Sequence, residues 1–191
     1  MTKICLVRHG LTDYNAQRKL QGASDIPLNR EGEYQAECAR EKLKDYHFDV
    51  IITSPLMRAY RTAEIINEYH GLEIETMDEL KEQFFGPLEG HHIDDVHEKY
   101  PDGIFPGAET FESLSNRVAG AISEIERKYP DKHILLTAHS RTIKSILSLY
   151  SEEIHMFETK LDNCSLSHIE CVDSKWSVND FNITTQPAVD R

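Results

Sequence analysis

Residues 4–12 read ICLVRHGLT, and the prediction of the fold starts from this stretch. Four apolar residues run directly into an arginine, a histidine and a glycine, a pattern typical of a buried strand whose carboxyl end opens on a polar site. Neutral histidine can serve as a nucleophile or base, and arginine offers a planar set of donors suited to phosphate. Arg8 and His9 are therefore candidate site residues, and Gly10 permits a sharp turn after them.

Helices alternate with strands along the rest of the chain. Periodicity predicts strands over residues 48–53, 72–77, 133–137, 165–172 and 175–181, and helices over 31–46, 56–69, 93–100, 110–129 and 141–150. Residues 13–30 are predicted to form a long loop, and Ser54 and Pro55 to supply the N-cap and first-turn proline of the second helix. This order predicts a three-layer α/β fold, a mostly parallel sheet with helices on both faces. We expect one domain over 1–183 and a frayed tail over 184–191.

The composition limits the possible partners. The formal net charge is -12 over 191 residues, which argues against nucleic-acid and anionic-membrane partners because those surfaces would repel the protein. The four cysteines include no C-x-x-C pair and are expected to be reduced thiols without a zinc site. No secretory leader and no apolar stretch of membrane-spanning length is recognisable, so we predict a cytoplasmic location.

Three of the predicted strands end at polar residues directly before a helix. Arg8 and His9 follow the first strand, Arg58 lies in the first helical turn after the second, and His139 and Ser140 follow the strand at 133–137. In a parallel sheet these carboxyl ends share one edge, where ligands bind and helix amino termini favour anions. Such a cluster of cations is costly without an anion, which predicts a phosphoryl-binding pocket.

Several runs of residues recur here in the order typical of a known family. They are residues 6–12, residues 15–22 followed by Asp25 and Pro27-Leu28, SPLMRA at 54–59 followed by Thr62-Ala63, residues 82–90, and Ala138-His139. The chain resembles the histidine phosphatase superfamily, which includes the cofactor-dependent phosphoglycerate mutases, over about residues 3–149. The resemblance implies a phosphoglycerate mutase-like fold and a phosphatase that needs neither metal nor cofactor.

The resemblance also implies a role for each matching residue. His9 would be transiently phosphorylated, and Glu82 would protonate the leaving oxygen and then activate water. Arg8, Arg58 and His139 would bind the phosphoryl oxygens, with Asn15 and Gln21 at the margin. Physical chemistry agrees, because phosphoryl transfer depends mainly on in-line positioning and charge stabilisation.

The sequence departs from the family pattern directly after His139. Glycine is usual at that position, whereas this chain has Ser140 followed by Arg141. A serine can still offer its backbone N–H and hydroxyl to phosphate, so Ser140 is a candidate phosphate ligand. The Arg141 side chain could enter the pocket or point to solvent.

The sequence is also compatible with other functions. A phosphoglycerate mutase and a non-catalytic phospho-ligand binding domain would share the same pocket, and His91, His92 and His97 raise the hypothesis of a metal-dependent hydrolase. Adjacent histidines point in different directions on a helix and lack a carboxylate at a recognised interval, which favours a solvated surface. The expected partner is a small phosphorylated metabolite, whose identity and the oligomeric state the sequence does not determine.

Overall fold

A computed structural model describes residues 1–187 and contains one six-stranded mixed sheet with helices on both faces. The strands are β1 (Thr2–Arg8), β2 (Val50–Thr53), β3 (Ile74–Thr76), β4 (His133–Ala138), β5 (Leu166–Val172) and β6 (Lys175–Ile183). Their spatial order is β3-β2-β4-β1-β5-β6. The first four in this order are parallel, and β5 and β6 extend the sheet antiparallel. The predicted α/β fold is confirmed.

Residues 1–187 form six α-helices. They are α1 (Asp13–Ala16), α2 (Arg30–Leu43), α3 (Met57–Asn67), α4 (Ile93–Lys99), α5 (Phe111–Lys128) and α6 (Ser140–Ser148). Successive strand residues point to opposite faces, so Cys5 and Val7 pack in the core with α2 and α3, whereas Ile4 and Leu6 pack with α5 and α6. The sheet is therefore the middle of three layers.

The register of the parallel strands places the polar residues at one edge. Arg8 at the end of β1 lies opposite Ala138 of β4, and Thr53 at the end of β2 lies opposite Thr137. The backbone N–H of His9 donates to the Ala138 carbonyl at 3.0 Å. The segments that follow these three strands therefore begin next to one another.

Two glycines allow α2 to approach the turn after His9. A Cβ on Gly10 would lie 2.3 Å from the Gly32 carbonyl oxygen, and one on Gly32 would lie 2.0 Å from the Leu11 carbonyl oxygen. Both distances are shorter than any Cβ contact can be, so the two backbones meet only without side chains. This contact fixes the turn on the side of the sheet that carries α2.

Two local predictions are wrong. Residues 13–30 contain the one-turn helix α1, whose start is stabilised by a reciprocal capping box between Thr12 and Asn15. The N-cap of α3 is Leu56 rather than Ser54, and it has no side-chain cap. The Ser54 hydroxyl accepts the Leu56 N–H at 3.3 Å and contacts the His139 ring, so its position serves the site.

The segment between β3 and α5 forms a small cap over the strand ends. It includes α4 and packs around a separate apolar cluster of Leu20, Phe85, Val96 and Phe105. Among residues 1–187, no helix is long and apolar enough to span a membrane. Of the predicted tail, residues 184–187 run beside the β5 start, where the Thr185 hydroxyl donates to the Cys164 carbonyl, and 188–191 lie outside the described residues.

Candidate active site

A cavity of about 220 Å³ lies at the carboxyl ends of β1, β2 and β4. Its wall includes seven of the eight residues predicted for the site: Arg8, His9, Asn15, Gln21, Arg58, Glu82 and Ser140. The eighth, His139, is fully buried behind the wall, with its ring centroid 5.2 Å from that of His9. The structure therefore brings together side chains that are up to 132 positions apart in the chain, since Arg8 and Ser140 share one wall.

His9 is held as a neutral ring. Its Nδ1 lies 2.7 Å from the Gly10 carbonyl oxygen, so Nδ1 carries the proton and Nε2 carries the lone pair. Burial, followed by the charges of Arg58 and Arg8, holds the pKa of His9 well below its usual value. The ring is consequently neutral at neutral pH, with a lone pair on Nε2, which is the state that a nucleophile needs.

Arg58 is the largest fully buried side chain of the described core. Its Nη1 donates to the Ser24 carbonyl and its Nη2 to the Gly22 carbonyl, both at 2.8 Å. Burial lowers the pKa of Arg58 to about 10, with Glu82 the main opposing charge, so the guanidinium stays charged at neutral pH. Its Nε is buried and has no hydrogen-bond partner within residues 1–187.

Arg8 provides a second guanidinium beside His9. Its Nη1 donates to the Leu161 carbonyl, and burial lowers the pKa of Arg8 against the opposing charges of Glu82 and Asp162. Like Arg58, Arg8 has a buried Nε without a partner in the described part of the chain. An unpaired donor on a buried cation is unfavourable, and an anion bound between the two arginines would satisfy both.

His139 has one paired and one unpaired ring nitrogen. Its Nε2 lies 2.7 Å from Ser54 Oγ, whereas its buried Nδ1 has no partner among the described residues. Because Ser54 Oγ already accepts the Leu56 N–H, its own proton can be donated to Nε2, which leaves the proton of His139 on Nδ1. Burial and the charge of Arg58 keep the pKa of His139 well below its usual value, so it is a neutral donor.

Glu82 lines the cavity and also closes the amino terminus of α6. Its Oε1 accepts the Thr142 N–H at 3.1 Å and the Gln83 N–H at 3.0 Å, and its Oε2 accepts the Arg141 N–H at 3.2 Å. A helix amino terminus favours an anion. The carboxylate is thereby fixed in orientation at the wall that carries Arg8, His9 and Arg58.

The residues predicted for the margin have structural partners as well. The Asn15 side-chain oxygen accepts the Thr12 N–H at 3.2 Å, and that of Gln21 accepts the Thr12 hydroxyl at 2.7 Å. These contacts orient each amide so that its NH₂ is the group left for a ligand. Ser140 is the first residue of α6 and lines the same cavity.

Three residues near the site had no assigned role in the sequence. Glu89 accepts the N–H groups of Ala23 and Ser24 at 2.9 Å and so orders the loop whose carbonyls hold Arg58. The Asn163 side chain donates to the His9 carbonyl at 3.0 Å. Lys144 lines the cavity one turn after Arg141, a spacing visible in the sequence. No sequence pattern points to Asn163, because its contact with the His9 carbonyl joins distant parts of the chain.

The Arg141 side chain lines the cavity rather than pointing to solvent, and it lies among aromatic rings. Of the three histidines considered for metal, His97 lines the cavity and stacks on Phe105. Within residues 1–187 there is no group of three or more His, Cys, Asp or Glu side chains arranged to hold a metal ion.

Replacing Arg58 by lysine is expected to be costly. A lysine side chain cannot reproduce the two-pronged contact of the guanidinium with the Gly22 and Ser24 carbonyls. One of these carbonyls therefore loses its donor. We expect Arg58→Lys to raise the activation free energy by about 2 kcal/mol or more, which lowers kcat/KM about 30-fold or more, as for loss of one preorganised donor. The matched control is Arg61→Lys, one turn later in α3 and half exposed. Equal kcat/KM values for both variants would place Arg58 outside the chemistry.

Comparison with known proteins defines the class to which this site belongs. A model of the histidine phosphatase superfamily (branch 1) matches residues 4–184. The chain therefore belongs to this superfamily, and the resemblance seen in its motifs is confirmed. The match extends beyond the motifs and spans both β5 and β6.

Relatives of this chain include proteins named as phosphatases and proteins named as phosphoglycerate mutases. The uncharacterized phosphatase PhoE of Bacillus subtilis (strain 168) is 46% identical over 186 residues, covering 97% of this chain and 96% of that protein. The probable phosphoglycerate mutase GpmB of Cronobacter sakazakii is 34% identical, covering 97% and 92%. A mutant phosphoserine phosphatase from Entamoeba histolytica, solved with phosphoserine, superposes with a TM-score of 0.86 at 29% identity, covering 97% and 98%.

Proposed function

We propose that this protein is a metal-independent phosphatase that hydrolyses monoesters of small phosphorylated metabolites through a phosphohistidine on His9. The observation that carries the proposal is a neutral, buried imidazole beside two guanidinium groups, in which His9 Nε2 and both arginine Nε atoms lack hydrogen-bond partners among residues 1–187. Because Arg8 and Arg58 supply positive charge at the phosphoryl position, transition-state charge can be stabilised without a metal ion. The membership in the family and the names of its phosphatase relatives support the same activity.

In the first step, the Nε2 lone pair of His9 attacks phosphorus, and the bond between phosphorus and the ester oxygen breaks. The phosphoryl oxygens are held by Arg8, Arg58 and the Nδ1–H of His139, with Asn15 and Gln21 at the margin and Ser140 offering its backbone N–H. Protonated Glu82 gives its proton to the departing oxygen, so the product leaves as an alcohol. The phosphorylated ring gains positive charge, which the Gly10 carbonyl stabilises through Nδ1–H.

In the second step, water attacks the phosphohistidine and Glu82 takes its proton. The N–P bond breaks, inorganic phosphate leaves, and His9 returns to its neutral state with Glu82 protonated for the next cycle. The same carboxyl serves both directions of proton transfer because the leaving oxygen and the attacking water occupy the same side of the phosphoryl group. The backbone donors at the start of α6 keep Glu82 at this position.

The cysteines bear on where this chemistry takes place. Cys5, Cys38, Cys164 and Cys171 are all free, and three of them are buried. Free thiols fit a reducing compartment. We therefore propose that the enzyme acts in the cytoplasm, on a soluble small-molecule substrate rather than on a nucleic acid or a membrane surface.

Phosphoglycerate mutase activity is the competing function, supported by the name of the GpmB relatives. The test mixes enzyme with 3-phosphoglycerate and a 2,3-bisphosphoglycerate primer, and follows phosphate release and formation of 2-phosphoglycerate together. We expect phosphate release to exceed isomer formation, with the same rates in excess EDTA as without it. Isomer formation that outruns phosphate release would establish the mutase, and activity that EDTA removes and a divalent cation restores would overturn metal independence.

A further inference from the structure

The wall of the cavity beyond Glu82 carries two cations that the proposed reaction does not use. Arg141 and Lys144 lie one turn apart at the start of α6, and both line the cavity together with Met156 and Phe157. Since Glu82 gives its proton to the ester oxygen, the alcohol part of a substrate must begin beside Glu82. Arg141, whose backbone N–H binds Glu82, is therefore next to that part of the substrate.

The Arg141 guanidinium lies among four aromatic rings. Its guanidinium carbon lies 4.8 to 5.6 Å from the ring centroids of four residues: Phe85, Phe105, Phe111 and Phe157. Its Nη1 donates to Gln83 Oε1 at 2.8 Å. The rings stabilise the cation through their faces, whereas the remaining N–H groups on its planar edge stay available to an oxygen ligand.

Lys144 is only 9% exposed, which is unusual for a lysine that pairs with no carboxylate among the described residues. Its Nζ donates to the Met156 carbonyl at 2.8 Å, a neutral group that does not compensate the charge. Burial, followed by the charge of Arg141, lowers the pKa of Lys144 to about 8, so most of the population is still charged at neutral pH. Lys144 is buried and Arg141 is half-buried, and each donates to a neutral oxygen, so the two cations are costly to keep together without an anion.

The charge of the cavity wall exceeds what one phosphoryl group can neutralise. In the part of the chain that the structure describes, one carboxylate, that of Glu82, lines it against five cationic side chains: Arg8, Lys19, Arg58, Arg141 and Lys144. The volume of about 220 Å³ is below that of cavities that hold drug-sized ligands. We propose that Arg141 and Lys144 form a second anion subsite, which selects small phosphate monoesters that carry another acidic group, a carboxylate or a second phosphate.

This proposal rests on the proposed phosphatase function, and the test separates the two. The kcat/KM for phosphate release is measured on two matched pairs: 3-phosphoglycerate against glycerol 3-phosphate, and fructose 1,6-bisphosphate against fructose 6-phosphate. The first pair differs only by a carboxylate against a neutral hydroxymethyl group, and the second only by a phosphate against a hydroxyl. The wild-type enzyme is expected to prefer the anionic member of at least one pair by tenfold or more, and the pair that shows it identifies a carboxylate or a phosphate.

The variants Lys144→Met and Arg141→Met are expected to lower that preference ratio at least tenfold. Lys132→Met, a lysine of the opposite sheet edge that pairs with Asp49, is the matched control and should keep the ratio. If the wild-type enzyme shows a kcat/KM ratio within threefold of one for both pairs, the subsite proposal is overturned, whether or not the variants fold. A preference ratio that survives both substitutions would also overturn it. No phosphate from any ester would instead contradict the phosphatase function itself.

Discussion

The variant His9→Ala is expected to lose essentially all turnover of phosphate monoesters, by on the order of 10⁴-fold or more, the scale seen when a covalent nucleophile is removed. The substitution deletes the Nε2 atom that accepts the phosphoryl group. Steady-state phosphate release from an aryl phosphate, measured alongside a thermal unfolding curve, tests this directly. The fold should persist because, among the described residues, the side chain makes its hydrogen bond within its own turn, to the Gly10 carbonyl.

The control for His9→Ala is His47→Ala, an exposed histidine before β2 at the opposite edge of the sheet. It should retain wild-type rates. If His9→Ala keeps more than a few per cent of the wild-type rate while folded, the covalent step is not on His9. A loss of both activity and cooperative unfolding would instead show that His9 is needed for the fold.

The second large effect is expected from Glu82→Gln, and it should depend on the leaving group. With an alkyl phosphate, whose leaving oxygen needs a proton, we expect kcat/KM to fall by about 10²- to 10⁴-fold, the usual contribution of a general acid. With 4-nitrophenyl phosphate the first step needs little acid catalysis, so a rapid burst of nitrophenolate should precede slow turnover. The slow phase reflects hydrolysis of the phosphoenzyme without its general base.

The matched control is Glu79→Gln, an exposed carboxylate three residues earlier, which should leave both substrates unaffected. Stopped-flow absorbance measures the burst, and its amplitude reports the fraction of enzyme phosphorylated. Unimpaired hydrolysis of the alkyl ester by Glu82→Gln would show that another group is the acid. Equal losses on alkyl and aryl esters, without a burst, would assign Glu82 to the support of α6 instead.

The arrangement of the strand ends was predictable because it follows from local patterns. Each apolar run stops at a charged residue, and parallel pairing brings those residues to one edge, so Arg8, His9 and Arg58 could be placed together before any distance was known. The family motifs added the proposed role of Glu82, which composition alone does not distinguish from Glu79. Strand and helix boundaries shifted by a few residues, as expected where capping rather than periodicity decides the end.

The features that sequence did not reveal depend on contacts between distant segments. Ser54-Pro55 matches a helix start, yet the Ser54 hydroxyl is engaged by His139, 85 positions away. The direction of Arg141 is set by four phenylalanines from three separate parts of the chain. Lys144 follows Ile143 in a helix that reads as amphipathic, and only the structure, in which its Nζ donates to the Met156 carbonyl, shows that it is buried.

The measurement that tests the central claim most directly is the capture of the phosphoenzyme. Enzyme is mixed with a phosphate ester, denatured within milliseconds at alkaline pH, where phosphohistidine is stable, and digested for mass spectrometry. We predict that the peptide containing His9 gains one phosphoryl group, that the gain is lost on mild acid treatment, and that Glu82→Gln increases it. A phosphoryl group on another residue, or none under conditions of rapid turnover, would contradict the account.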